Sequence, residues 1–212
     1  MFKIDLHVHT ALGGDSLLRP EELVECARAV GLDALCVTEH HSYFASAPLE
    51  DVSRKSSFPI FRALEYHASE GHLLVYGVKA GTSDLPRGLP MQRAIDWVNH
   101  RGGAAVSAHP YQRGVVGGVL GDRLLALRGL AAVEVLNGSV SEQENALAAD
   151  AARILKVPGI GGSDAHGPLA LGRVCTVFER PIESTVQLVR AIKEGRGTPR
   201  WNAHDREDHG PG

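Results

Sequence analysis

Residues 2–9 read FKIDLHVH, and this stretch decides how the fold begins. The apolar run Phe2–Val8 predicts a β-strand, in which successive side chains point to opposite faces of the sheet. His7 and His9 are two positions apart, so both imidazoles lie on the same face. The stretch therefore predicts a buried strand that presents two histidines at its carboxyl end.

Outward from this strand, short β-like runs alternate with helical patterns along the chain. This alternation predicts an α/β protein with a mostly parallel sheet and helices outside, either a closed barrel or an open sheet. The predicted strands are Phe2–Val8, Asp33–Thr38, Phe58–Leu64, His72–Val78, Ala104–Ala108, Ala131–Leu136, Gly159–Ser163 and Val174–Phe178. The predicted helices cover residues 20–30, 88–101, 121–129, 141–156 and 183–194.

Metal-binding side chains follow five of these predicted strands. In both architectures, functional residues collect at the carboxyl ends of the strands. Imidazole together with carboxylate suits Zn²⁺, Mn²⁺ or Fe²⁺ better than a thiolate-bound ion. If the sheet closes, its first and last strands become neighbours and their ligands converge. The strand-end residues are His7 and His9, then Glu39, His40 and His41, then Glu65, then His109, and finally Asp164 with His166.

His72 begins a predicted strand instead of ending one. The six residues between Glu65 and His72 are too few for a parallel crossover, which needs a dozen or more. The two flanking strands should therefore pair as an antiparallel hairpin. This pairing would bring His72 to the same mouth as Glu65.

Composition narrows the class of protein. The chain has 212 residues, eleven histidines and a formal net charge of −3, so it has no basic surface for long nucleic acid. No apolar run approaches the roughly 20 residues that span a bilayer, and residues 1–5 lack the charged and apolar segments of a signal peptide, so we expect none. Cys26, Cys36 and Cys175 are widely spaced in apolar surroundings, which indicates reduced thiols and a cytoplasmic protein. We expect one domain over 1–201 and a polar, aperiodic tail over 202–212.

Six motifs together resemble the PHP (polymerase and histidinol phosphatase) family of metal-dependent phosphoesterases. The resemblance covers about residues 2–200 and implies a distorted, TIM-like seven-stranded βα barrel with its metal site at the carboxyl ends of the strands. One departure is Glu39, which stands where the family usually has an aspartate. The motifs are DLHVHT (5–10), VTEH (37–40), ALE (63–65), HLLVYG (72–77), AHP (108–110) and GSDAH (162–166).

The resemblance also implies a ligand set for two or three divalent ions. A first ion would be held by His7, His9, Glu65 and Asp164. Glu65 would bridge to a second ion, shared with His72 and His109. A third would be held by His40 and His166 with the help of Asp15, whose alternative role is that of a turn residue or helix cap.

Such a cluster is expected to hydrolyse a phosphomonoester of a small metabolite or nucleotide, with Glu65, Asp164 and His166 as the catalytic set. A water between two cations would be acidified to hydroxide and attack phosphorus. Arg113 and Arg173 are candidate phosphate clamps, or solvated surface arginines. Asn137 is expected either to bind substrate or to hold the mouth by hydrogen bonds.

Two other hypotheses stay open. The first is an amidohydrolase-like enzyme that cuts C–N or C–O bonds; such barrels commonly bridge their metals with a strand-end lysine. Here Glu65 occupies that place, and Lys79 and Lys156 are not at strand carboxyl ends. The second is a non-catalytic metal-binding module like the PHP module attached to polymerases, although every proposed ligand position holds a competent side chain. Substrate, metal identity and oligomeric state stay open.

Overall fold

The structure is a computed structural model that describes residues 1–114 and 118–202. Within these residues the fold is mixed α/β, with two five-stranded sheets and five α-helices. The strands are β1 Phe2–Val8, β2 Ala34–Val37, β3 Ile60–Arg62, β4 Leu64–His67, β5 His72–Tyr76, β6 Ala104–Ser107, β7 Ala132–Asn137, β8 Gly159–Gly162, β9 Val174–Phe178 and β10 Gly197–Trp201. The helices are α1 Pro20–Ala29, α2 Leu49–Ser56, α3 Met91–His100, α4 Glu142–Leu155 and α5 Thr185–Lys193, with 3₁₀ helices at Tyr43–Ser46 and Gly121–Ala126.

The two sheets meet at the carboxyl ends of their parallel strands. The first has the order β10-β9-β1-β2-β3, with β1 parallel to β2 and antiparallel to β9. The second has the order β4-β5-β6-β7-β8, with β6, β7 and β8 parallel. Isolated bridges Val8–Ala165 and His40–Glu65 join one sheet to the other. Each bridge lies next to predicted metal ligands, so the two sheets contact each other at the predicted site.

The expected seven-stranded closed barrel is not confirmed, since the described backbone forms two sheets. The division arises within the predicted strand Phe58–Leu64, which is two strands, β3 and β4. Ala63 donates its N–H to the carbonyl of Val37, the last residue of β2 (2.8 Å), and Glu65 then donates to the carbonyl of Thr38 beyond the strand (3.2 Å). From Leu64 the chain pairs antiparallel with β5, with His67 opposite His72. The predicted hairpin is confirmed, although its first strand begins later than expected.

Three elements have no counterpart in the sequence prediction. The 3₁₀ helix at Tyr43–Ser46 and helix α2 fill the connection from β2 to β3. In α2 only Leu49 is buried, and the segment is mostly polar, so few apolar residues mark it as a helix in the sequence. Strand β10 contains Pro199, which argues against a central strand but is tolerated at the sheet edge, where β10 pairs with β9 alone. Residues 121–126 of the predicted helix 121–129 form a 3₁₀ helix.

Glycines in β8 allow this strand to lie close to β1. A Cβ added to Gly162 would lie 2.5 Å from the His7 Cβ and 2.6 Å from its backbone nitrogen. Any larger residue would push β8 away from β1. The glycines of β8 therefore bring the segment that follows it, with Asp164, beside the histidines of β1.

Within the described residues, no helix combines the length and apolar character that crossing a membrane requires. Asn202, which the sequence analysis placed in the tail, is buried and hydrogen-bonded. Its side-chain Nδ2 donates to the Val30 carbonyl (2.7 Å), and its backbone N–H donates to the Arg173 carbonyl (2.8 Å). The rest of the predicted tail, 203–212, lies outside the described residues.

Candidate metal centre

Glu65 lies at the centre of the predicted site. It is on β4, its side chain is 1% exposed, and its two oxygens face different groups of histidines. Oε1 is 2.8 Å from Nδ1 of His72 and 2.9 Å from Nε2 of His109. Oε2 lies 3.1–3.4 Å from ring nitrogens on the opposite side. One carboxylate thus connects two sets of ligands, as the bridging position predicts.

The first set is fully enclosed. Nε2 of His7 and Nε2 of His9 are 3.1 Å apart at the end of β1. Asp164, directly beyond β8, places Oδ1 3.3 Å from the first of these nitrogens and 3.4 Å from the second. Oε2 of Glu65 completes the group at 3.4 and 3.2 Å. All four side chains are buried, so four nitrogen and oxygen donors converge in a space largely shielded from bulk water.

A second set lies at the rim and is more exposed. Asp15 Oδ2 is 2.9 Å from Nε2 of His40 and 3.5 Å from Nε2 of His166. The exposed fractions of the three side chains are 36%, 24% and 40% respectively. The His9 ring stacks on the His166 ring at a centroid distance of 4.3 Å, which joins the rim to the enclosed set. Asp15 therefore contributes a carboxylate to this group.

Glu39 holds the turn that carries Asp15. Its buried carboxylate accepts hydrogen bonds from the backbone N–H and the hydroxyl of Thr10. A Cβ on Gly13 would overlap Oε2 of this carboxylate, so the turn needs glycine at that position. Glutamate is longer than the aspartate that is usual at this position, and it fits because Gly13 leaves room for its carboxylate.

His67 belongs to the cluster, although the sequence analysis assigned it no ligand role. Its Nε2 is 2.9 Å from Nδ1 of His40, and its ring stacks on that of His72 at 3.9 Å. The signal was present in the sequence: His67 follows Glu65 by two positions on one strand, so both side chains share a face. The same reasoning that paired His7 with His9 applies here.

Strained backbone accompanies the site. Among the described non-glycine residues, five have positive φ, and two of these, Ser57 and Lys156, end helices. The other three lie at the mouth: His41 at 60°, His109 at 24° and Asp164 at 54°. A left-handed conformation costs such residues about 1–3 kcal/mol and tends to occur at functional sites. The backbone conformation at these three positions, which follow the carboxyl ends of three strands, therefore destabilises the folded state.

Glu134, a buried carboxylate on β7, holds the first set in place and was missed by the sequence analysis. Its Oε1 accepts from Nδ1 of His7 (2.9 Å), so the Nε2 of this ring is left to face the other donors. Its Oε2 accepts from the backbone N–H of His109 (2.9 Å) and from Nδ2 of Asn137 (3.0 Å). The available signal was a charged residue inside an otherwise apolar predicted strand.

The predicted substrate-binding residues differ in position. Asn137 is buried, and its Nδ2 also lies 3.4 Å from Oδ2 of Asp164, so its amide is engaged within the protein. Arg113 is exposed, and its backbone N–H donates to Glu144 of α4. Arg173 is exposed immediately before β9. A phosphate-binding role for the two arginines stays a prediction.

The ligand groups open into a cavity of about 190 Å³. Larger hollows exist elsewhere in the described chain, but none of them is lined by the predicted ligands. Neither Arg113 nor Arg173 lines this cavity, whereas Gln112 does. Its lining residues are His40, Glu65, His67, His72, His109, Gln112, Asp164 and His166.

The two central carboxylates keep their negative charge despite their burial. Burial alone would raise the pKa of Glu65 and Asp164, but the adjacent histidines outweigh it and hold both pKa values well below their usual range. Burial likewise opposes charge on His9, yet hydrogen bonds to Asp164 and Glu65 raise its pKa to about 9. Two anions therefore face closely packed imidazoles. Such a set of converging nitrogen and oxygen donors fits transition-metal ions.

Arg87, at the rim, was not selected from the sequence. Burial and then the charge of Arg87 lower the pKa of His41 to about 4, which places a positive charge near the mouth. The adjacent Gly88 donates its N–H to the His67 carbonyl (3.1 Å), so this loop is attached to the β4–β5 hairpin.

Comparison with known proteins agrees with this geometry. Residues 5–95 match the family model of the PHP domain, and residues 142–196 match that of the PHP-associated region. Together the two matches span more than half of the chain and include His7, His9, His40, Glu65 and His72. The chain belongs to the PHP family.

Relatives and solved structures place this PHP chain among proteins of several descriptions. An uncharacterized protein from Methanocaldococcus jannaschii is 26% identical over 145 residues, covering 64% of this chain and 81% of the relative. A two-domain protein from Bacteroides vulgatus, containing a predicted PHP-like metal-dependent phosphoesterase, is similar in structure (TM-score 0.71, 20% identity, 95% of this chain and 65% of that one). An amidohydrolase from Chromobacterium violaceum, solved with bound sulfate and no metal, also has a similar fold (TM-score 0.65, 17% identity, 97% and 99%). PHP proteins are metal-dependent phosphoesterases and hydrolases, and this chain has His, Asp and Glu clusters that could hold metal.

Proposed function

We propose that this PHP protein is a metal-dependent phosphoesterase that releases inorganic phosphate from a small phosphomonoester. The observation that carries the proposal is the position of Glu65. Its two oxygens face separate histidine sets, and Glu65, His72 and His109 border one cavity together with Asp164. A multinuclear site around a bridging carboxylate suits phosphoryl transfer, since several non-bridging oxygens must be neutralised at once.

The proposed assignment of ligands follows the groups of converging donors. The enclosed set would hold a first ion, and Glu65 with His72 and His109 a second. Asp15, His40 and His166 would hold a third, with His9 close by. We propose two or three divalent ions, of zinc, manganese or iron. When bound, such ions acidify a water molecule and neutralise the phosphoryl oxygens.

The chain's own residues orient these donors. Nδ1 of His166 lies 3.1 Å from the Asp164 carbonyl, so this nitrogen carries the proton and Nε2 is left free to face Asp15. Glu134 fixes the His7 ring in the same way. Asn137 connects Glu134 to Asp164, and we propose it as a positioning residue for this carboxylate. In His7 and His166 these contacts engage Nδ1, so Nε2 is the nitrogen that faces the other donors.

The substrate is proposed to be small. A cavity of about 190 Å³ is smaller than the roughly 300–1,000 Å³ of pockets that enclose drug-sized ligands, so it suits a phosphoryl group whose remainder projects outward. A chain of net charge −3 offers long nucleic acid no extended basic surface. The free thiols of Cys26, Cys36 and Cys175 support the expectation of a reducing, cytoplasmic setting.

An amidohydrolase is the second candidate, favoured by the fold shared with the Chromobacterium violaceum protein. Against it, the lysines that might bridge metals lie elsewhere. Lys79 places Nζ 5.7 Å from the ring of Tyr43, and Lys156 caps the end of α4. Cleavage of an amide or lactone by metal-loaded protein, faster than that of any phosphoester, would favour this candidate.

The test is phosphate release from a panel of phosphomonoesters after chelation and reloading with Zn²⁺, Mn²⁺ or Fe²⁺, with metal content measured in the same samples. We expect metal-dependent release of phosphate, inhibited by inorganic phosphate and by vanadate. Protein that binds its ions tightly but hydrolyses neither phosphoesters nor amides would refute the proposal and indicate a non-catalytic module.

A further inference from the structure

Gln112 has an unusual environment for a glutamine. It lines the cavity beside the ligand histidines, and its Oε1 is inaccessible to solvent. No group in the described part of the chain donates a hydrogen bond to this oxygen. The backbone fixes its position, because the Gln112 N–H donates to the carbonyl of His109 in a tight turn (3.0 Å).

A buried acceptor without a donor destabilises the folded state, and such atoms are uncommon outside functional sites. The neighbouring ring nitrogens are already engaged: Nδ1 of His72 and Nε2 of His109 both face Oε1 of Glu65. A ligand bound in the adjacent cavity would supply the donor that Gln112 lacks. A phosphate dianion carries only acceptors, so it cannot be that donor.

We propose that Gln112 contacts the alcohol portion of the substrate and selects phosphomonoesters with a hydroxyl or amino group close to the ester oxygen. The inference rests on the proposed phosphoesterase function and deepens it. A substrate with such a donor completes the hydrogen bond of Oε1, whereas a plain alkyl phosphate leaves this oxygen buried and unpaired. A site of this kind discriminates against the analogue that lacks the donor.

The test compares glycerol 3-phosphate with propyl phosphate, which have the same carbon chain and differ in their hydroxyls. We expect wild-type kcat/KM to favour the glycerol ester by about 5- to 150-fold, the range for one unpaired buried acceptor. In Gln112→Leu the preference for the glycerol ester over the propyl ester should fall close to one. Gln112→Glu, which keeps an acceptor, should retain part of the preference. Gln143→Leu on the exposed face of α4 is the matched control and should behave as wild type.

Binding gives a second readout that needs no turnover. The phosphonates of the same two carbon chains should differ in Kd by a similar factor for the wild type and bind Gln112→Leu alike. Thermal unfolding of the metal-free variant should show no loss of stability, since the substitution removes an unsatisfied polar atom.

Three results would overturn the proposal: an unchanged preference in Gln112→Leu, a wild-type preference of about one, or a loss of bound metal confined to the Gln112 variants. The last would make Gln112 part of the metal centre. If the wild type hydrolyses neither ester, the proposed function fails, and the phosphonate comparison still decides whether Gln112 recognises the hydroxyls.

Discussion

Substitution of Glu134 by glutamine tests whether this carboxylate sets the state of the metal centre. Glu134 is fully buried and accepts three hydrogen bonds through two oxygens. Glutamine has the same shape but replaces one oxygen with an NH₂ donor. In either orientation of the amide, its NH₂ group faces another hydrogen-bond donor, because both oxygens of Glu134 accept hydrogen bonds.

Each orientation has its own consequence. With NH₂ toward His7, the ring must accept at Nδ1 and carry its proton on Nε2, the nitrogen that faces Glu65 and Asp164. With NH₂ on the other side, the hydrogen bonds from the His109 backbone and from Asn137 are lost. A hydrogen bond to a charged group contributes about 1.5–3 kcal/mol. Loss of a partner that orients a metal-binding histidine typically reduces metal affinity by about 10- to 100-fold.

The assay measures metal affinity by competition with a chelator and thermal unfolding of the metal-free protein. We expect affinity to fall by about 10- to 100-fold if the His7 tautomer changes. If the two other hydrogen bonds break, Tm should fall by about 6–24 °C, from about 1.5–3 kcal/mol for each bond and about 2–4 °C per kcal/mol for a domain of this size. Imidazole ¹⁵N shifts report which orientation occurs. Glu142→Gln, on an exposed position of α4, is the control. Wild-type affinity together with wild-type Tm in Glu134→Gln would refute this reasoning.

Three further predictions concern the cluster and the core. Glu65→Gln should reduce turnover at least 10-fold more than His41→Ala, because Glu65 contacts both ligand sets while the Nδ1 of His41 has no partner in the described chain; equal losses with metal content intact would contradict the bridging role. Reloading chelated protein should restore two or three ions per chain and raise Tm by roughly 5–11 °C for each ion when free metal is about 100 times its Kd; saturation at one ion or fewer would exclude a multinuclear site. Burial raises the pKa of Cys175 from 9.0 to about 11, so the thiol stays protonated in the folded state while the unfolded chain ionises. The free energy of unfolding should therefore decrease by about 2 kcal/mol between pH 9 and pH 11, and Cys175→Ala should lack this part of the slope in denaturant titrations.

Much of the ligand set was accessible from the sequence because strand periodicity is local. Two positions along a strand always share a face, so His7 with His9 and Glu65 with His67 follow from spacing alone. The hairpin that returns His72 to Glu65 follows from the length of the connection. These features depend on neighbours within a few residues, which a sequence displays directly.

Only the tertiary structure shows the features that involve residues far apart in the sequence. The break at Ala63, which divides the expected barrel into two sheets, arises where the strand exchanges β2 for β5 as its partner. The support that Glu134 gives to His7 joins positions 127 residues apart. The unpaired oxygen of Gln112 is defined only by what surrounds it. Periodicity predicts which side chains share a face, but it does not predict which hydrogen-bonding groups other strands bring to that face. These groups set the histidine tautomers and the charges of the candidate metal centre.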